Sequence, residues 1–235
     1  LYGRNAVGGS VNLITRKPTS EFEGYGRVTV GNYDQLDIEA AFSGPISDRV
    51  LGRLAVKSDS HSGFGDNPVT GRDVDDLDRQ MVRGHLQFLA SEAIDWLLTG
   101  EMYTQRDASR ALKFRAESYP DVPRLASPGG GGYAAEPRDL ASEFDPESVT
   151  ETWAVTSTVD WRFNDRITLR NISNYRDFEG YIQQDLDLSA VVSSLATNNF
   201  NTSVQRRDVE SLQRSTEFQM NYDTERVSAV FGLFY

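Results

Sequence analysis

The chain of 235 residues has no cysteine, two histidines, and 24 Lys+Arg against 35 Asp+Glu. Without cysteine there is no disulfide framework, no thiolate zinc site and no cysteine nucleophile. His61 and His85 are isolated and offer no shared metal site. The shortage of positive charge leaves a net −11, which excludes the basic footprint of a nucleic-acid binder. The longest charge-free run, residues 188–205, is more than half Ser, Thr, Asn and Gln. A membrane-crossing helix needs about 20 mostly apolar residues, so a membrane role requires strands. The first residues show no basic segment followed by an apolar one, so no signal peptide is visible. Gly129–Gly132 lacks the Lys-Ser/Thr of a phosphate loop. Asp66, Asp73, Asp75, Asp76 and Asp78 lack EF-hand spacing and its central glycine. There is no Gly-x-Ser-x-Gly elbow. The expectation is no catalytic residue, no metal and no cofactor. Hydrophobic residues reach only 38%, yet 11% of the chain is aromatic and 19 residues are glycine, which is not a disordered composition.

What is present is a period of two. Leu36, Ile38, Ala40 and Phe42 alternate with Asp37, Glu39 and Ala41. Trp153, Val155, Val159 and Trp161 alternate with Thr152, Thr156, Thr158 and Asp160. Such alternation predicts strands with one apolar and one polar face. Nine are expected, at about 21–31, 35–43, 50–60, 79–90, 95–107, 149–163, 167–184, 208–222 and 227–235. In the seventh, Ile172 and Phe178 fall on one parity and Leu169, Tyr175 and Tyr181 on the other. The ninth is apolar on both faces.

The links between strands alternate in length. Tight turns at 44–49, 91–94, 164–166 and 223–226 alternate with links at 32–34, 61–78, 108–148 and 185–207. In an antiparallel meander this puts all the long loops at one end, the pattern of an outer-membrane barrel. Phe22, Phe42, Phe88, Trp96, Trp161, Phe163 and Tyr222 lie on the apolar faces near the tight turns and predict an interfacial girdle. Arg214 shares that face but stands eight residues from Tyr222, near the expected outer interface. The strands also exceed the usual length in soluble sheets. A soluble β-sandwich binding module remains the alternative fold.

The first residues carry the identity. Leu1-Tyr2-Gly3-Arg4, Gly8-Gly9, and Val11-Asn12-Leu13-Ile14-Thr15-Arg16 resemble the end of the plug domain of TonB-dependent outer-membrane receptors. Asn174-Tyr175-Arg176-Asp177 and Ser215–Met220 also look like that family. The resemblance implies an all-β fold: an antiparallel transmembrane β-barrel, here incomplete, preceded by the terminal piece of a plug. Residues 1–20 would close the plug and residues 21–235 would form the N-terminal part of the barrel. At about 24 residues per strand, nine strands are some two-fifths of a plugged barrel of about 22 strands.

The resemblance also implies a mechanism. A ligand binds the long outer loops and the plug apex, the TonB energy-transducing complex pulls the plug through a segment absent here, and solute enters the periplasm. The expected cargo is a ferric siderophore, with cobalamin, haem and glycans as the family's other options. The expected location is the bacterial outer membrane, with lipid against the apolar face. A passive porin is the alternative function, and it would leave Leu1–Pro18 outside the lumen. The plug-motif residues are Leu1, Tyr2, Gly3, Arg4, Gly8, Gly9, Asn12 and Arg16. Glu101 and Glu217 are plug–barrel contact candidates, because Arg4, Arg16 and Lys17 would meet an acidic wall; ordinary solvation of these charges is the other reading. Tyr119, Arg124, Tyr133, Arg138 and Phe200 are ligand-loop candidates, suited to stacking and anion pairing.

Overall fold

The computed structural model describes residues 14–108, 112–113, 136–186 and 204–235. Its strands are β1 (Glu23–Val30), β2 (Leu36–Ser47), β3 (Val50–His61), β4 (Gly65–Asn67), β5 (Arg72–Val74), β6 (Leu77–Ser91), β7 (Ile94–Asp107), β8 (Glu147–Arg162), β9 (Ile167–Asp185), β10 (Val204–Asp223) and β11 (Ser228–Phe234). Nine of them form one antiparallel meander in the order β1-β2-β3-β6-β7-β8-β9-β10-β11, while β4 and β5 form a separate hairpin. The nine expected strands are therefore the nine of the large sheet. The hairpin lies inside what the sequence suggests is a plain loop at 61–78. Tight turns join β2–β3, β6–β7, β8–β9 and β10–β11 at one end. The long links lie at the other, together with the short 31–35 link.

Burial separates the two faces. Ala41, Ser43, His85, Gln87, Ser148 and Ala154 are buried and are linked through one cross-strand register. They define the inner face. Leu36, Ile38, Phe42, Leu54, Val82, Trp96, Met102, Trp153, Trp161 and Phe218 are large, apolar and exposed, and all have the opposite parity. A sheet with its apolar side chains outward and its polar ones inward is inverted relative to a soluble domain and suits a wall between lipid and a wet interior. Outer-face aromatics also cover gaps: a Cβ on Gly24 would lie 2.9 Å from Cδ1 of Phe42, so only glycine lets that ring lie flat across the strand pair.

Neighbours settle the parity of β9. Thr158↔Ile172 and Thr152↔Phe178 put Ile172 and Phe178 on the inner face. Leu169, Tyr175 and Tyr181 then face outward. So do Asn171 and Ser173, and on its rung Asn171 lies between Val159 and Phe218, which offer its side chain no hydrogen bonds. They are satisfied sideways. Asn171 Nδ2 donates to Thr216 Oγ1 at 3.2 Å, and the Ser173 and Thr216 hydroxyls bond at 3.0 Å. Trp96 Nε1 donates to Ser157 Oγ at 3.0 Å. Higher on the same face, the Arg214 guanidinium lies 5.3 Å from the centroid of the Tyr175 ring, a cation–π contact. Above that rung, Glu151, Glu179 and Glu210 oppose one another directly across β8, β9 and β10.

Candidate functional site

The approach to the first strand is fixed from the inner face. Thr19 donates from its backbone N to Ser43 Oγ at 2.9 Å and from Oγ1 to the same atom at 2.8 Å. Pro18 is buried. Thr15 and Arg16 line a crevice of about 550 Å³ with Tyr25, Glu39, Arg53 and Arg83. Those four side chains share the inner parity, so the residues preceding β1 run along the interior of the wall.

That part of the wall is a lattice of ion pairs. Arg53 pairs with Glu23 at 3.0 Å, Arg27 with Glu39 at 3.9 Å, and Lys57 and Arg79 with Asp59 at 3.0 and 2.7 Å. Arg83 donates from Nε and Nη2 to Glu101 Oε2 at 3.0 and 2.7 Å. Tyr25 OH donates to Glu39 at 2.5 Å. Glu101 is thus engaged by its cross-strand neighbour. Glu217 accepts from Gln219 Nε2 at 2.8 Å and lies on β10, so the crevice does not bring the two glutamates together. Arg16 stands beside Arg27, Arg53 and Arg83 as well as Glu39, and it makes no ion pair among the described residues. Leu1, Tyr2, Gly3, Arg4, Gly8, Gly9 and Asn12 lie outside the described residues.

Across β8, β9 and β10 the inner face changes character. Thr150, Thr152, Thr156 and Thr158 alternate down β8, with Asn174 donating to Thr156 Oγ1 at 2.7 Å. Ser211, Gln213 and Ser215 continue the uncharged lining on β10. Near the tight turns this lining ends at Asp160, which accepts from Arg170 at 2.5 and 2.9 Å.

At the other end, the loops pack into a small core of their own. Val74 and Asn67 are fully buried, and Leu140 and Ser142 nearly or wholly so. Asn67 Nδ2 donates to Ser142 O at 2.9 Å and to Asp145 Oδ1 at 3.3 Å, while Asn67 Oδ1 accepts from the backbone N of Val69 at 3.2 Å and of Ser142 at 3.4 Å. Leu140 N donates to Asp66 O at 2.9 Å. Asp145 also holds Thr70 and Arg72, and its carbonyl accepts from Gln183 Nε2 at 2.9 Å, which ties the loops to β9. Asp76 accepts from Ala108 N at 2.6 Å. Burial raises the Asp76 carboxyl above its ordinary range, and the charge of Asp107 adds to the rise.

Of the ligand-loop candidates, Arg138 is described and exposed. Its Nη1 donates to Tyr33 OH at 3.0 Å, and its carbonyl accepts from Lys113. Tyr33 and Asp34 both have positive φ, 60° and 53°, with Gln35 N donating to Asn32 O at 3.4 Å. This is the geometry of a primed hairpin turn, usually filled by Asn and Gly. A bulky residue there is strained. Tyr33 is held by Arg138, by Ser62 N on its carbonyl at 2.8 Å, and by Phe64 edge-on at 4.9 Å. His61 stacks on Phe64 at 4.5 Å. Tyr119, Arg124, Tyr133 and Phe200 lie outside the described residues. The sequence reading missed Tyr33, Phe64 and Asn67. The turn residues Asn67-Pro68 and Gly71 inside the acidic loop were the available signal for the hairpin.

No family model matches the chain. It is similar to the pesticin receptor of Yersinia pestis, 36% identical over 74 residues, or 31% of this chain and 11% of that receptor. It is similar to the ferripyoverdine receptor of Pseudomonas aeruginosa, 38% identical over 65 residues, or 26% of this chain and 8% of that receptor. Among solved structures, the ferric yersiniabactin uptake receptor FyuA of Yersinia pestis superposes with a TM-score of 0.72 at 19% identity, over 97% of this chain and 32% of that one. The chain therefore spans about a third of the solved receptor that it matches.

Proposed function

We propose that the chain is a piece of a TonB-dependent outer-membrane receptor, forming the plug-end and first wall strands of a protein that takes up a scarce nutrient, a ferric siderophore, across the outer membrane. The domain division that fits is 1–20 as the end of the plug and 21–235 as the N-terminal part of the barrel. The observation that carries the reading is the course of residues 14–19. Thr19 is tied to the inner-face Ser43, and Thr15 and Arg16 stand against inner-face side chains. A passive porin would leave this segment outside the lumen.

The division of labour follows from the wall. The ion-paired half is a docking face for the plug: its charges are already matched, so release of the plug exposes no unpaired wall charge. The outer loops, packed around Asn67 and carrying Arg138, are the ligand-facing surface. The TonB energy-transducing complex supplies the work of moving the plug, and no covalent chemistry is involved. The relatives are receptors by name, one for pesticin and one for ferripyoverdine.

The test is uptake of iron-55 presented as a panel of ferric siderophores to iron-starved cells carrying the intact gene. Uptake by one of them that disappears in a strain lacking TonB is the expected result. Uptake that persists without TonB would favour the porin. No uptake of any ferric chelate would turn the substrate toward glycans or cobalamin.

A further inference from the structure

The inner wall is electrically divided. On β1, β2, β3, β6 and β7, Arg27, Arg53, Lys57, Arg79 and Arg83 each stand within 3.9 Å of a carboxylate. On β9, Arg176 shares the inner parity but its rung partners are Ala154 and Gln213. Its neighbours on the same face are Asn174 and Phe178 along its own strand, with threonines on β8 and serines on β10. It is exposed and has no carboxylate partner among the described residues. Arg207, paired in register with Ile182, is a second exposed inner-face cation without one, nearer the outer loops. Six residues separate Ile182 from Arg176, about 20 Å along the strand.

We propose that the part of the inner face of β8–β10 lying on the outer-loop side of Glu217 and the Asp160–Arg170 pair is the solute track, and that Arg207 and Arg176 are successive stepping points for an anionic solute. This rests on the transport reading above and adds the route and the charge of the cargo. The physical argument is one of contrast. A side chain already bonded to a fixed opposite charge offers a passing ion little, because the two fields cancel at a distance of a few ångströms. An unpaired guanidinium in a hydroxyl- and amide-lined passage keeps its field and its five donors. The neutral lining can exchange hydrogen bonds with a moving solute without trapping it. The ion-paired half is also the half against which Thr15 and Arg16 stand, so the two faces divide plug docking from solute passage.

The test uses the full-length receptor in outer-membrane vesicles, with a single cysteine placed at Gln213 on the proposed track or at Ala55 in the crevice beside Arg16. This chain contributes no competing cysteine. The probes are two methanethiosulfonate reagents of similar size, one carrying a sulfonate and one a trimethylammonium group. Q213C should label at least tenfold faster than A55C, with the sulfonate several-fold ahead of the cation. R176Q should bring that ratio at Q213C to about one, and R176K should preserve it, which separates charge from misfolding. Equal labelling of A55C and Q213C, or a sulfonate preference untouched by R176Q, would overturn the proposal. The predicted labelling in a receptor that shows no TonB-dependent uptake would overturn the transport reading while leaving the anion-favouring face supported.

Discussion

Replacing Asn67 with alanine should undock the outer loops without unfolding the wall. Asn67 is fully buried and makes four hydrogen bonds, to Ser142 O, Asp145 Oδ1, Val69 N and Ser142 N. The two at 3.3 and 3.4 Å are long, so the estimate leans on the others. Net hydrogen bonds contribute about 0.5–1.5 kcal/mol each, and a buried group left unpaired costs about 1–3 kcal/mol. Ser142 is fully buried and would lose partners on both its N–H and its carbonyl. A loss of about 3 kcal/mol in loop docking follows, or about two orders of magnitude in the local opening constant at about 1.4 kcal/mol per decade. The assay is amide hydrogen exchange followed by mass spectrometry on the purified full-length receptor in detergent. Peptides covering 62–76 and 136–146 should lose protection by roughly a hundredfold, and peptides from β2 and β3 should not change. Unchanged protection in the loops would refute the account of Asn67 as their common anchor. Loss spread evenly over the wall would refute the separation of loop core from sheet.

Other consequences can be measured in the same protein. A double-mutant cycle with R83Q and E101Q, read by urea unfolding in lipid vesicles, should give a coupling of about 1 kcal/mol; the pair is about one-third exposed, which screens it. Met102 is outward and 60% exposed, six residues up its strand from Trp96, so Met102→Arg should cost about 2–4 kcal/mol in the same assay. The Asp76 carboxyl is raised in the folded state, so the folded protein holds that proton more tightly than the unfolded chain. Its contribution should therefore favour the packed loops at low pH and weaken them as pH rises from the ordinary carboxylate range through the raised value. Asp76→Asn should flatten that dependence, monitored by proteolytic nicking of the loops.

The strands were legible because alternation is a local property and lipid on one side makes it strict. Loop lengths gave the sorting of the two ends, and the aromatics near the tight turns gave the direction. The parity of β9 was not legible, because Ile172 and Phe178 face inward while Asn171 and Ser173 face outward. Only the partner strands decide it, and Thr216 makes the outward polar groups tolerable. The β4–β5 hairpin was hidden because its three-residue strands are too short for a period to emerge. The acidity of the wall was read from one side only. Glu23, Glu39 and Glu101 were visible in the sequence, but their engagement by Arg53, Arg27 and Arg83 depends on cross-strand register. Arg176 stood out in no pattern, since its isolation is a property of the rungs beside it.

The rung of Glu151, Glu179 and Glu210 carries a consequence for how the wall closes. Directly opposed like charges disfavour pairing, and these three occupy one line across β8, β9 and β10. The turn at 163–166 joins β8 and β9 at the end away from the glutamates, at little loop-closure cost, whereas β9 and β10 are connected on the glutamates' own side. Pairing of β8 with β9 should therefore advance from that turn as a zipper and meet its last resistance where Glu151 faces Glu179. Exposed charges interact over a Debye length of about 10 Å at 0.1 M salt and about 30 Å at 0.01 M. The height to which this long hairpin stays zipped is thus partly a property of the surrounding ion atmosphere, with dilute media fraying the rim and saline ones sealing it.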